Sequence, residues 1–414
     1  MKKLFYILFF CCPLFTMGQQ TYVPDDNFEQ LLILQGFDTV LDDSVLTSNI
    51  NQITNLQIGN SNIFSLVGIE DFAQLNSLYC SGNQLSVLDL TSNLNLKTLY
   101  CDDNQLQDIY LPVSIERLYC TFNNLTILDT DSLSNLEILD CSQNNISILD
   151  ISQNIVLERL ECSNNQLVNL TLNDTSLIFL IANSNLLTSL NLSQNNNLKS
   201  AYIYSNQLNS LNVNGTDSLR ILHAYNNLLT SVDLSTNSIL HTITLSNNLL
   251  SALDVSFNEE LNYISCSSNN ITTLDITNQS NLIRLYCDSN QITNLYVGIK
   301  LFLEEFGCNS NQLLDLDFSN VDKANIIAFD TTNNPNLYCI EVEDEGWSTA
   351  LWTDIDTWSS FSEDCNYTSI TEYQTETKLL KIVDVLGRET QPSKNTPLFY
   401  IYENGIVEKR IILE

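Results

Sequence analysis

The chain has 414 residues and carries 49 aspartates and glutamates against 16 lysines and arginines, a formal net charge of −33 at pH 7. A protein surface with this excess of negative charge repels nucleic acid and anionic lipid. It is typical either of a solvated, aggregation-resistant exterior or of a protein that attracts cations and basic partners. The sequence has two histidines and shows no Gly-rich phosphate loop, zinc-ligand spacing or nucleophile elbow. We therefore expect a protein that is not an enzyme and has no cofactor.

The N-terminal segment, residues 1–18, is ordered like a secretory signal peptide. Two lysines precede an apolar run at 4–15, and the small residue Gly18 closes the segment. The run is too short for a transmembrane helix, and no later stretch of the sequence reaches that length. We expect cleavage after Gly18 and a mature chain that is secreted or held at the cell surface, without a transmembrane segment.

An internal repeat of about 21 residues organises most of the remaining chain. The shared pattern is L-x-x-L-x-C-x-x-N-x-L-x-x-L-D-L-x-x-N, as in residues 96–106 and 157–167. Its first asparagine recurs at Asn83, Asn104, Asn123, Asn144, Asn165, Asn185, Asn206, Asn227, Asn248, Asn269, Asn290, Asn311 and Asn334. The pattern resembles the leucine-rich repeats of secreted bacterial proteins. This resemblance implies a solenoid over residues 53–338.

The repeat also predicts this architecture from its chemistry. Alternate Leu and Cys side chains of a short strand point inward, and the residues between them face out. The asparagine amide can satisfy backbone groups in the turn that follows, so stacked coils predict an asparagine ladder with a spacing of about 4.8 Å. The second apolar run supplies the opposite wall, and coils this short leave no room for a full helix. The expected fold is mostly β, with about 13 coils.

Caps are expected at both ends, because a solenoid has to close its open core. Residues 19–52 form the predicted N-terminal cap, in which acidic and Asn residues at 24–32 favour a short helix. Residues 339–372 form the predicted C-terminal cap. Cys339 and Cys365 flank all three tryptophans there, and in an oxidising compartment this pair predicts a disulfide that staples the cap.

Eight further cysteines occupy one position of the repeat, where other coils have Ala, Ile or Leu. Exchange with apolar residues indicates buried thiols that pack as hydrophobic groups. The alternative is a ladder of metal-binding thiols, although no histidine or C-x-x-C spacing accompanies them. Parallel strands in register give poor disulfide geometry, so we expect unpaired thiols. They are Cys80, Cys101, Cys120, Cys141, Cys162, Cys266, Cys287 and Cys308.

The tail, residues 373–414, is a separate module by composition, because basic residues become about as frequent as acidic ones. Alternating apolar runs at 379–388, 397–402 and 406–413 predict strands, and Asn404-Gly405 predicts a hairpin turn.

The same tail resembles the C-terminal sorting domains of the type IX secretion system, through D-V-L-G-R at 384–388 and Y-I-Y-E-N-G at 400–405. The resemblance implies contact with the secretion machinery and passage through the outer membrane. The Pro-Asn-Pro segment of the fuller pattern is missing, which leaves surface attachment open. A small β cap without a sorting role is the alternative.

Outward-facing strand positions beside the cysteine position form two aromatic clusters. They are Tyr79, Tyr100 and Tyr119 in the N-terminal coils, and Tyr202, Tyr204, His223 and Tyr225 in the middle of the solenoid. Exposed tyrosines are frequent in binding hot spots and also stack on sugars. The alternative is stacking between neighbouring strands that only stabilises the sheet.

Aspartates after the leucine of the second run form partial ladders, and Asp233, Asp254 and Asp275 stand on consecutive coils. Like charges at the strand spacing of about 4.8 Å repel each other. Bound Ca²⁺ would relieve this repulsion, and so would hydrogen bonds from turn N–H groups and water. These three residues are the candidates for a cation site.

The resulting functional hypothesis is an extracellular protein that binds a protein partner on the concave face of the solenoid, for example an adhesin. A glycan-binding surface protein that uses the same tyrosines is the second reading. A structural surface component without a specific ligand is the third.

Overall fold

The computed structural model describes residues 18–172, 176–365, 379–384, 387–392, 397–402 and 407–411. The predicted signal peptide, apart from Gly18, and the predicted turn at Asn404-Gly405 lie outside these residues. The chain divides into two compact units, Met1–Glu363 and Asp364–Glu414, whereas composition placed the start of the tail at residue 373.

One wall of the first unit is a 14-stranded parallel sheet, here called the large sheet. Each strand has three residues; the middle one is buried in the core, and its two neighbours point outward. Consecutive coils pair in register, for example Leu78 with Leu99. The strands are Asn55–Gln57, Ser77–Tyr79, Thr98–Tyr100, Arg117–Tyr119, Ile138–Asp140, Arg159–Glu161, Phe179–Ile181, Ser200–Tyr202, Ile221–His223, Thr242–Thr244, Tyr263–Ser265, Arg284–Tyr286, Glu305–Gly307 and Ala328–Asp330.

The opposite wall is made of shorter parallel sheets of two or three strands. Its strands are Val87–Asp89, Asp108–Tyr110, Ile148–Asp150, Asn169–Thr171, Ser189–Asn191, Ser210–Asn212, Thr273–Asp275, Asn294–Tyr296, Leu316–Asp317, Cys339–Glu341 and Ser360–Ser362. The coils hold only two single-turn 3₁₀ helices among the described residues, Ile69–Asp71 and Lys323–Asn325. The prediction of a mostly β solenoid without full helices between its strands is confirmed.

The asparagine ladder is present and explains how the turns after the large sheet are stabilised. In Asn104, Nδ2 donates to the carbonyl oxygens of Cys80 and Cys101, both at 3.1 Å. Its Oδ1 accepts from the backbone N–H of Leu85 at 3.0 Å. One side chain thus joins two coils and satisfies backbone groups that the core cannot hydrate. The first coil has Ser61 at the ladder position, so 13 asparagines serve 14 strands.

A second row of buried amides, the last asparagine of the repeat pattern, lies along the opposite wall. Asn93 donates to the carbonyl of Ile69 at 2.8 Å, and Asn258 donates to that of Leu234 at 3.0 Å. Gln279 takes the same position one coil later and donates to the carbonyl of Val255 at 2.8 Å. These amides fix the second turn of each coil as the ladder fixes the first.

The residue before each ladder asparagine has left-handed backbone geometry in nearly every coil. Gly82 has φ +70°, and the non-glycine residues at this position have φ between +51° and +58°. Several of them are Asn or Ser, but Phe122 and Gln143 also occupy it. Side chains with a Cβ pay a steric cost in this region. The hydrogen bonds of the adjacent asparagine hold the turn in that geometry.

The N-terminal cap confirms the predicted helix. The helix Asp26–Leu34 is capped by Asp25, whose side chain accepts from the N–H groups of Asn27 and Phe28. Its buried residues Phe28 and Leu32 belong to the same core as the coils. An antiparallel pair, Gln20–Tyr22 with Ser44–Leu46, and the short helix Thr47–Ile50 complete the cap.

The C-terminal cap places tryptophan against the last coil. The helix Glu345–Leu351 begins at Asp344, which accepts from the N–H of Trp347. Trp352 follows this helix and stacks on Phe329 of the last large-sheet strand, with ring centroids 4.6 Å apart. Cys339 and Cys365 are both disulfide-bonded, as predicted for the staple of this cap.

The second unit contains an antiparallel sheet of the strands Leu379–Val383, Pro397–Tyr402 and Val407–Ile411. These strands agree with the three apolar runs of the tail, although the first is shorter than predicted. Asp384 forms an ion pair with Arg388 at 2.8 Å. Across the described residues of the chain, every helix falls short of the length and apolar character needed to cross a bilayer.

Candidate binding surface

Four aromatic side chains in the middle of the large sheet form two parallel stacks on its outer face. The rings of Tyr202 and His223 have centroids 5.0 Å apart and planes 15° from parallel. The rings of Tyr204 and Tyr225 have centroids 4.4 Å apart and planes 7° from parallel. All four side chains are partly exposed. We call this group the central aromatic patch.

The alternation of the repeat positions these rings. Tyr202 and His223 are register partners at the ends of adjacent strands. Tyr204 and Tyr225 lie two residues further along, so they emerge on the same side, while Ile203 and Ala224 between them are fully buried. The strand period of two and the parallel register thus bring together all four residues of the predicted mid-solenoid cluster.

Hydrogen bonding and burial set the electrostatics of the central aromatic patch. Nδ1 of His223 lies 2.8 Å from the hydroxyl of Thr244, and burial lowers the pKa of His223. Burial, together with the neighbouring phenol of Tyr204, raises the pKa of Tyr225. Both shifts favour the uncharged forms of His223 and Tyr225, and the patch offers aromatic faces and hydroxyl groups to a partner.

The N-terminal cluster is also assembled as predicted. Tyr79 stacks on Tyr100 with centroids 5.0 Å apart, and Tyr100 stacks on Tyr119 at 4.3 Å. Three strands separate this stack from the central aromatic patch, and their third positions carry Asp140, Glu161 and Ile181. The two clusters are therefore distinct surfaces. The stacking also fits the alternative that these rings stabilise the sheet.

Ion pairs join neighbouring coils at the N-terminal ends of strands of the large sheet. Lys97 pairs with Glu116 at 2.6 Å, and Arg117 pairs with Glu137 at 2.7 Å. Exposed pairs of this kind contribute little stability. They neutralise several of the few basic residues, so the outer face of the large sheet keeps an excess of negative charge.

The eight cysteines of the repeat, here called the cysteine ladder, pack in the core of the solenoid. All eight thiols are free and buried. Sγ of Cys101 donates to the carbonyl of Tyr119 at 3.4 Å. Burial raises the pKa of Cys266 to about 12 and also raises the pKa values of the other seven. Thiols that stay protonated are poor nucleophiles and poor metal ligands, which supports the interpretation as hydrophobic groups.

The three aspartates on consecutive coils accept hydrogen bonds from backbone groups of their own turns. Asp233, Asp254 and Asp275 each accept a hydrogen bond from the N–H two residues later, at 2.9 or 3.0 Å. Hydrogen bonds from the side chain and backbone of Ser235 lower the pKa of Asp233. Those from the backbone and side chain of Ser256 lower the pKa of Asp254. Calcium binding at these positions stays an untested prediction. The turn N–H groups stabilise the negative charge of these carboxylates, which is the alternative to a bound cation that the sequence suggested.

Among the described residues, the acidic group whose ligand atoms converge is a different one, formed by Glu29, Asp38 and Asp42. Glu29 is fully buried, and it accepts from the N–H groups of Asp42, Asp43 and Ser44. Its carboxylate therefore already has partners that hold the loop of the N-terminal cap.

Sequence reasoning missed a cavity of about 700 Å³ at the C-terminal end of the large sheet. Its lining includes Asp288 and Asp330 of the last coils, and Trp347 and Trp352 of the cap. The signal in the sequence was Gly307, the glycine in the row of outward positions that mostly carries larger side chains. Only the packing of the cap against this row creates the cavity.

The sequence matches no protein-family model and no curated protein sequence. Solved structures do match the fold. A functional domain of InlJ from Listeria monocytogenes, which includes a cysteine ladder, is 22% identical, with a TM-score of 0.57 over 96% of this chain and 99% of that one. YopM from Yersinia enterocolitica is 21% identical, with a TM-score of 0.57 over 74% and 70%.

An internalin, InlF from Listeria monocytogenes, is 19% identical, with a TM-score of 0.55 over 83% of this chain and 96% of that one. At these identities the likeness concerns the fold. Together with the parallel coils, the asparagine ladder and the caps, it shows that this chain folds as a leucine-rich-repeat solenoid similar to those of bacterial proteins.

Proposed function

We propose that this protein binds a protein partner through the outer face of the large sheet, the face on which the sequence predicts concave-face binding. The central aromatic patch is the contact centre. The observation that supports this is the pair of stacks Tyr202–His223 and Tyr204–Tyr225, which are partly exposed and fixed by strand register.

Such a patch suits recognition for two reasons. Stacked rings lose little conformational entropy on binding, because their neighbours already restrict them, and tyrosine offers both apolar area and a hydroxyl. The net charge of the chain, −33 at pH 7, favours a partner with basic groups, through faster association and rejection of acidic surfaces. The function is that of a rigid binding surface rather than an enzyme.

The central test is recovery of a partner from surface extracts by residues 19–372. The variant carries Tyr204→Ala and Tyr225→Ala. The matched control carries Tyr110→Ala and Tyr296→Ala, which remove two tyrosines of the opposite wall that are 52% and 53% exposed. We expect the first variant to lose the partner and the control to retain it. Equal recovery by both variants would contradict a binding site at the central aromatic patch.

A glycan-binding function is the second candidate, because the flat faces of the same tyrosines can stack on sugar rings. A glycan array separates the two proposals. Binding to defined glycans that is lost with Tyr204→Ala and Tyr225→Ala would favour this candidate over a protein partner. If no surface extract and no glycan binds at any salt concentration, the protein is a structural surface component instead.

We also propose that the protein is exported, with residues 1–18 as the signal peptide and residues 373–414 as a type IX sorting tail. The support is the order of residue types in both segments and the antiparallel sheet in the tail. Deletion of residues 373–414 should trap the protein in the periplasm. Normal release of the truncated chain would leave the tail as a small β cap.

A further inference from the structure

The cavity at the C-terminal end of the large sheet has a backbone floor. Gly307 is the register partner of Tyr286 on one side and Asp330 on the other. A Cβ at this glycine would come within 2.9 Å of Oδ1 of Asp288. The Asp288 carboxylate therefore occupies the space above Gly307 that a side chain would take in other coils.

Carboxylates of neighbouring coils line this floor. Nδ2 of Asn309 lies between them and donates to Oδ1 of Asp288 at 2.7 Å and to Oδ2 of Asp330 at 3.0 Å. A third carboxylate, that of Asp354, borders the cavity. No lysine, arginine or histidine is among the described residues that line it. The charge of the cavity is thus negative and has no cationic partner within it.

The opposite wall is aromatic and comes from the C-terminal cap. Trp347 is partly exposed and packs edge-on against Trp352, with centroids 5.5 Å apart. Trp352 is 94% buried, and its indole N–H has no hydrogen-bond partner among the described residues. A buried donor without an acceptor is costly. The wall therefore offers the partly exposed indole face of Trp347, backed by the buried ring of Trp352.

We propose that this cavity binds the lysine or arginine side chain of a basic peptide segment. The carboxylates of Asp288 and Asp330 neutralise the cationic group, and the indole face of Trp347 supplies a cation–π contact to that group. A peptide fits better than a free amine, because a cavity of about 700 Å³ has room for backbone beside the basic side chain.

Burial supports this assignment. Because Asp288 is removed from water, its pKa is raised, and the nearby charge of Asp330 acts in the same direction. A cation in the cavity would offset both costs. The site goes beyond the central aromatic patch: Tyr286 lies three strands past His223, about 14 Å at the strand spacing. The two surfaces can therefore be tested independently.

Intrinsic fluorescence can report on the cavity, since two of the three tryptophans of the chain border it. The probes are the capped tripeptides Gly-Lys-Gly and Gly-Arg-Gly, the same peptide with neutral norleucine, and n-butylamine. The full chain is titrated at physiological salt, which screens the general attraction of the acidic surface. We expect saturable emission changes with the basic peptides, weaker binding of butylamine, and no response to norleucine.

The variants are Asp288→Asn and Asp330→Asn, each of which removes a charge and keeps one of the two oxygens that accept hydrogen bonds. We expect each to weaken basic-peptide binding about tenfold, the loss of one charge-assisted contact. Asp89→Asn removes the same charge on the opposite wall and should bind within about twofold of the parent. Circular dichroism checks the fold, and if one cavity variant does not fold, the other carries the test.

Three outcomes would overturn the proposal. They are equal binding of the norleucine peptide, equal or tighter binding of butylamine, and an equal effect of Asp89→Asn and the cavity variants, which would indicate net charge alone. The Tyr204→Ala and Tyr225→Ala variant should leave this titration unchanged. Failure of the cavity proposal would therefore not affect the proposed function of the central aromatic patch.

Discussion

Tyr204 and Tyr225 stand on neighbouring coils with their ring centroids 4.4 Å apart and their planes 7° from parallel. This relationship can serve binding, sheet stability or both. A double-mutant cycle measures the contribution of this ring stack to the stability of the sheet. We expect Tyr204→Ala and Tyr225→Ala to be coupled by about 0.5–1.5 kcal/mol in the free energy of unfolding in urea. Strict additivity of the two substitutions would show that the stack does not stabilise the sheet and exists for another reason.

The asparagine ladder should be the most sensitive part of the turns. In Asn165, Nδ2 donates to the carbonyls of Cys141 and Cys162, at 2.9 and 3.2 Å, and Oδ1 accepts from the N–H of Ile146 at 2.9 Å. Asn165→Ala leaves these buried groups unsatisfied and should cost at least about 3 kcal/mol of unfolding free energy. The neighbouring exposed residue gives the control, Gln166→Ala, with an expected change under about 0.5 kcal/mol. Similar losses in both would argue against the ladder as the cause.

The eight ladder thiols should be inert in the native state. They are buried and protonated, with raised pKa values, so the thiolate that reacts with alkylating reagents is scarce. We expect no iodoacetamide labelling at these positions at pH 8 in the folded protein, and complete labelling after denaturation, measured by mass spectrometry. Rapid native labelling of any ladder cysteine would show that its coil opens readily or that the thiol is exposed.

Lys300 should make stability depend on alkaline pH. It occupies the amide position of the opposite wall, fully buried, where Nζ donates to the carbonyls of Val297 and Ile299 at 2.6 and 3.2 Å. Burial lowers its pKa from 10.5 to about 8. Between these two values the unfolded chain holds the proton and the folded chain releases it. The unfolding free energy therefore rises with pH across this window.

Lys300→Gln removes that titration and restores the residue type found one coil earlier at Gln279. The variant should be more stable at pH 7, by on the order of 1–3 kcal/mol, and should lose its advantage as the pH approaches 10. Urea unfolding at pH 7, 8, 9 and 10 gives the comparison. A constant difference between the two proteins at all four pH values would mean that the lysine keeps its ordinary pKa in the fold.

The backbone at Phe122 is strained, and a substitution can relieve this strain. Its φ is +51° and its side chain is 60% exposed, whereas Asn164, Asn226 and Asn247 occupy the same position in other coils. Asparagine tolerates left-handed geometry better than phenylalanine. We expect Phe122→Asn to raise the unfolding free energy by about 0.5–1 kcal/mol. No change or a loss of stability would indicate that the phenylalanine ring makes contacts worth more than the strain.

The sequence by itself determined the coil architecture. The period of about 21 residues, the inward Leu and Cys positions and the recurring asparagine were enough to predict strand register, the buried thiols and the ladder, because each coil repeats one local solution. The stacking of Tyr100 on Tyr119 followed from the same period. The disulfide state of Cys339 and Cys365 followed from their place outside the repeat.

Other features depend on which surfaces meet in space. Asp288 and Gly307 lie in neighbouring coils, and Trp352 lies in the C-terminal cap. Only the packing of the cap against the last coils makes these residues parts of one cavity. The same holds for Lys300, a basic residue that is fully buried at the position where other coils have a buried Asn or Gln. Repetition fixes contacts between equivalent positions of neighbouring coils, whereas contacts between a coil and a cap have no period and are decided by tertiary packing.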